Sequence, residues 1–110
     1  MDDILKRAKE LGQAIAAHER CQALKQAAKA LKADEEAKQI EKEYARAARV
    51  LQEKSAAGEP LEPEEKRREA DLRSKTVAHP LIRELLKAQA DFAELMQETN
   101  AKLESAIGLK

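Results

Sequence analysis

The chain has 110 residues, with 21 acidic and 21 basic side chains and no net charge. That length limits it to one domain, and neutrality argues against binding DNA or acidic membranes by bulk charge. The lone Cys21 excludes an intrachain disulfide and a thiolate metal cage.

The hydrophobic content of 43% overstates the core, because 22 of those 47 residues are Ala. Leu, Ile, Val and Phe together number 21, or 19% of the chain. So few large apolar residues would suggest disorder in a highly charged chain, but here the net charge is zero. The dominant residues are the best helix formers, and only three Gly and three Pro interrupt them. The composition is that of long helices or a coiled coil, an all-α protein with helical-bundle or coiled-coil-like packing. Ala contributes little burial at about 25 cal/mol per Å², so the helices are expected to cover their stripes partly against a second chain.

The pattern predicts helices at about 2–18, 20–32, 34–57, 62–77 and 80–107 of a single domain, 1–110. In the first, Asp2 or Asp3 suits the N-terminal end, and Ile4, Ala8, Leu11 and Ile15 share a face. Gly12 interrupts it, either as a point of close helix approach or as a weak position costing about 1 kcal/mol against Ala. A second stripe holds Cys21, Leu24, Ala28 and Leu31, with neither Gly nor Pro before it. The two stripes form one long helix, or two with a bend near His18–Arg20.

Asp34 reads as the N-cap of the next helix, with Glu35 and Glu36 in its first turn. Its stripe is Ala37, Ile40, Tyr44, Ala47 and Leu51. Gly58 and Pro60 end it, Gly58 as a left-handed terminator, and Pro63 opens the following helix. From Glu64 to Lys75 most residues are charged, so this helix is expected to be the most exposed. Pro80 pushes His79 out of helical geometry and into the N-cap position. The last helix carries the strongest stripe: Ile82, Leu85, Gln89, Phe92, Met96, Thr99, Leu103 and Ala106, with Leu81, Leu86, Ala93 and Ile107 widening the apolar face. Some 26 residues make a rod of roughly 39 Å, long enough to pack along another long helix.

Signals for chemistry are sparse. His18 and Cys21 can share a helix face, but zinc needs four ligands and the other histidine, His79, is far along the chain. Glu-x-x-His pairs of di-metal bundles are missing, since Ile15 precedes His18 and Thr76 precedes His79 by three. Gly-rich phosphate loops, Gly-x-Ser-x-Gly and His-Glu-x-x-His are missing as well. Catalytic, cofactor-binding and metal residues are accordingly expected to be none. The basic run Lys66, Arg67, Arg68, Arg73 and Lys75 raises RNA binding, which also calls for aromatic stacking platforms. Only Tyr44 and Phe92 are aromatic, and Glu62, Glu64, Glu65, Glu69 and Asp71 interleave the cations. A self-paired, solvated face is favoured over a direct nucleic-acid ligand.

The start is acidic and unlike a signal peptide, and no uncharged run approaches the ~18 residues of a membrane span. A single cysteine suits a reducing compartment, so a cytoplasmic location is expected, with no membrane partner.

Several residue groups together resemble a known family. They are Ala8-Lys9-Glu10-Leu11-Gly12 with Ala14-Ile15, then Ala33-Asp34-Glu35-Glu36-Ala37, then Pro80-Leu81-Ile82 with Leu85, Phe92, Leu95, Asn100 and Ile107. In order and spacing these are similar to the YlbF/YmcA family, small helical bacterial proteins linked to competence, sporulation and biofilm control. The resemblance covers almost the whole chain. Family members commonly have Asn where this chain has His79, so capping there is expected to be weaker and to depend on the protonation of His79. Some members carry several cysteines associated with an iron–sulfur cluster. With Cys21 alone, no cluster is expected here.

The resemblance implies an all-helical protein that self-associates and acts through partner proteins, some relatives modulating messenger-RNA processing. The combined expectation is an all-α protein of four or five helices, completed as a homodimer or higher oligomer. It would act as a non-enzymatic regulatory adaptor with protein partners. The interface residues expected on the long last helix are Ile82, Leu85, Phe92, Met96 and Leu103. The alternative is an RNA-binding accessory module using Arg67, Arg68 and Arg73.

Overall fold

A computed structural model describes residues 2–108, so the outermost ends of the expected 1–110 domain lie outside the described residues. Five helices account for most of them: α1 (Asp2–Ala17), α2 (Glu19–Lys32), α3 (Glu35–Ala56), α4 (Pro63–Ala78) and α5 (Pro80–Ile107). There is no strand among the described residues. The chain divides into two compact units. One takes the N-terminal residues through Ala28 together with those from Leu85 onward, and the other is Lys29–Glu84.

In the first unit the two N-terminal stripes are two helices, separated at His18. The break needs neither Gly nor Pro because side chains satisfy the loose backbone groups. His18 Nδ1 accepts the backbone N–H of Arg20 at 3.0 Å, capping α2. Gln22 Nε2 donates to the Ala16 carbonyl at 2.7 Å, serving an orphan acceptor at the end of α1. Arg20 reaches across to α5, donating to the Asp91 carbonyl at 3.3 Å and lying 3.7 Å from Glu94. Buried residues of this unit are Cys21, Leu85 and Ala88, whereas α1 buries none of its residues. Ala88 takes the interior position expected for Gln89, which is exposed. Successive residues of an α-helix point about 100° apart, so the covered side of α5 lies toward Ala88 and away from Gln89.

The second unit is built around the α3–α4 hairpin. Asp34 is the N-cap of α3, and its Oδ1 accepts the Ala37 N–H at 2.8 Å. At the other end Gly58 adopts φ +73. The Glu59 N–H then reaches the Lys54 carbonyl at 2.9 Å and the Gly58 N–H reaches Ser55 at 3.2 Å, the paired bonds of a Schellman ending. Pro63 opens α4, and the Glu65 carboxylate reaches back to the Glu62 N–H at 3.0 Å. Leu72 and Thr76 are the buried residues of α4. The Thr76 hydroxyl is satisfied by the Leu72 carbonyl at 2.8 Å, so burying it leaves no polar atom unpaired. Leu31, Ala37 and Ile82 complete the buried set of this unit.

Candidate interaction surface

Along α5 the large apolar residues of the stripe become more exposed from start to finish. Ile82 is 1% exposed and Leu85 9%, Phe92 and Met96 are half-buried, and Leu103 is 46% exposed. Ile82 and Leu85 therefore already fill the interior of the chain itself. The stripe beyond them keeps apolar surface open to contact. Ile107 is 67% exposed, and in the same unit α1 exposes Ile4, Leu5 and Leu11. Leu5 falls off the 4-3-4 spacing of the α1 stripe, so periodicity did not single it out.

Of these elements, α5 is held by polar contacts. Arg20 fastens α2 to α5 near Asp91 and Glu94, and the Thr99 hydroxyl bonds to the Leu95 carbonyl at 2.8 Å. Gly12 lies on the exposed α1, and a Cβ placed on it would meet nothing within 4 Å. Within the chain, then, Gly12 marks no close helix approach.

The basic residues of α4 lie on the other unit. Arg67 and Arg68 line an open groove with Glu43, Glu64, Glu65 and Asp71. Arg73 pairs with Glu69 at 3.3 Å. A polyanion approaching this face meets carboxylates among the guanidinium groups, which weakens the positive field that attracts phosphate. The Lys54–Glu65 pair, 2.7 Å apart, lies at the same end of the hairpin. The hydrogen bond from Lys54, reinforced by the Glu62 N–H, lowers the pKa of Glu65. The same hydrogen bond raises the pKa of Lys54 against a smaller opposing effect of burial.

Of the pair weighed for metal, His18 is exposed and caps α2, while Cys21 is buried and free. Among the described residues no group of three or more His, Cys, Asp or Glu is arranged to hold a metal ion. No helix of the described residues is long and apolar enough to cross a membrane.

A family model described as control of competence regulator ComK, YlbF/YmcA, matches residues 4–108. The chain belongs to the YlbF/YmcA family. Among the solved structures that share the fold of this YlbF/YmcA protein are the following two. One is a protein of unknown function (DUF964) from Bacillus stearothermophilus, at 21% identity and a TM-score of 0.75, covering 96% of this chain and 92% of the other. The other is Bacillus subtilis RicA, solved in complex with RicF. It gives 17% identity and a TM-score of 0.82, covering 96% of this chain and 93% of the other. At these identities the likeness is one of fold. No curated protein sequence matches the chain significantly.

Proposed function

We propose that this YlbF/YmcA protein is a non-enzymatic regulatory adaptor that works in the cytoplasm through self-association and protein partners. The observation that carries this reading is the apolar surface left open on one unit: Ile4, Leu5 and Leu11 on α1, with Leu103 and Ile107 on α5. An α1 with no buried residue gains little from its own chain. A second chain laid against these residues would supply the missing burial, as a homodimer or higher oligomer. The family's description as a control of the regulator ComK supports a regulatory role. The structure of RicA in complex with RicF supports recognition of a protein partner by this fold.

In this reading Phe92, Met96 and Leu103 contribute the contact surface of α5. Ile82 and Leu85 hold the start of that helix in register. Light scattering of the purified protein at micromolar concentration is expected to give a mass above one chain, and Leu103→Glu with Ile107→Glu to give a folded monomer. A wild-type monomer would overturn the self-association. A pulldown from native lysate, with and without ribonuclease, tests the partner. Capture that persists after ribonuclease supports a protein partner, and capture that vanishes returns the reading to an RNA module centred on Arg67, Arg68 and Arg73.

A further inference from the structure

We infer that His79 is a proton-sensitive latch that trades a helix cap for an ion bridge. The residue both ends α4 and begins α5. Its backbone N–H donates to the Lys75 and Thr76 carbonyls at 3.2 and 3.3 Å, and its carbonyl accepts the Arg83 N–H at 3.0 Å. The backbone is thereby fixed, and only the ring can respond to a change in charge. The side chain is 12% exposed, so the ring is largely shielded from water.

The ring's two nitrogens face different partners. Nδ1 accepts the Leu81 N–H at 3.2 Å, which requires that this nitrogen carry no proton. Nε2 then carries the hydrogen and faces Glu36 Oε1 at 3.6 Å and Asp34 Oδ1 at 3.9 Å. Both distances exceed hydrogen-bond reach. In the neutral state the ring caps α5 and overlooks, without engaging, two carboxylates at the start of α3. Lys75 of α4 and Glu36 line the same hollow as His79, so the facing groups are two carboxylates and one ammonium.

A proton taken from solvent has only Nδ1 to bind. The acceptor becomes a donor pointed at another donor, and the Leu81 N–H loses its partner. The new positive charge is also disfavoured at the N-terminal end of α5, where the helix dipole is positive. It is favoured beside Asp34 and Glu36, which outnumber Lys75. Ring rotation toward the carboxylates satisfies both demands. The proton thus loosens the first turn of α5 and ties the α4–α5 junction to the start of α3. His18 makes the same Nδ1 contact with the Arg20 N–H, but on the exposed surface, and so serves as an internal comparison.

The test is amide hydrogen exchange on the full-length, isotope-labelled protein at about pH 8 and about pH 5, the range over which histidine changes charge. Protection of the Leu81 amide, corrected for intrinsic exchange, is expected to fall about fivefold at the lower pH, the equivalent of a lost cap. Ring-proton contacts from His79 to the Glu36 side chain should strengthen at the same time. His79→Asn caps without titrating and should keep Leu81 protection level, and Glu36→Gln should weaken the low-pH ring contacts. Unchanged Leu81 protection in the wild type, or an equal fall in His79→Asn, would overturn the inference.

Discussion

Glu65 Oε1 accepts two hydrogen bonds at once, from Lys54 Nζ at 2.7 Å and from the backbone N–H of Glu62 at 3.0 Å. One carboxylate thus closes the first turn of α4 and ties it to the last turn of α3. The folded chain holds the pKa of Glu65 below its ordinary 4.5. Its contribution to stability is therefore complete above the ordinary carboxylate range and is lost as pH falls through the lowered value. The Lys54 value is raised above 10.5, so that side of the pair fails only in strong alkali. Glu65→Gln should melt below the wild type at neutral pH, with the gap closing as the solution is made acid. Thermal melts followed by circular dichroism across that range check it, and a gap independent of pH would refute it.

Ile82 is the largest side chain fully enclosed in the fold. Ile82→Ala removes its methyl groups and leaves a cavity, at a cost of about 2–5 kcal/mol. Leu103→Ala, on the same stripe but exposed, should change the stability of the isolated chain by only about 0.5 kcal/mol or less. Urea denaturation at low protein concentration measures both.

The Asp34 carboxylate carries the first turn of α3 through its 2.8 Å bond to the Ala37 N–H. Asp34→Ala should cost about 1 kcal/mol, while Asp34→Asn, which caps equally well, should cost far less. Equal losses in the two variants would show that the charge of Asp34, beside His79, matters more than its cap.

Gly12 has open space where a Cβ would stand. Gly12→Ala should therefore stabilise the isolated chain by about 0.5–1 kcal/mol, since Gly in a helix costs that much against Ala. Melting at low concentration tests the stability, and light scattering reports association. A stabilised chain that no longer associates would place Gly12 against a partner.

The breaks at Gly58 and at His79–Pro80, and the cap at Asp34, were legible in the sequence because each rests on local backbone physics. A left-handed glycine, a missing N–H or a short carboxylate acts within a few residues of itself. The break at His18 was not legible to the same degree. It depends on an imidazole accepting from Arg20 and on Gln22 reaching back to Ala16, contacts that a spacing rule does not rank against a continuous helix. The Lys54–Glu65 pair spans 11 residues, beyond the i,i+4 neighbours that sequence spacing reveals.

The stripe of α5 marks the division most clearly. Sequence alone determined that Ile82, Leu85, Phe92, Met96 and Leu103 share a helix face, because a helix repeats every 3.6 residues whatever surrounds it. Only the tertiary structure decided that Ile82 is enclosed while Leu103 faces outward, and that Ala88 is buried in place of Gln89. Periodicity orders side chains around one axis. Burial depends on what other parts of the chain bring against that axis, and those parts lie far away in sequence.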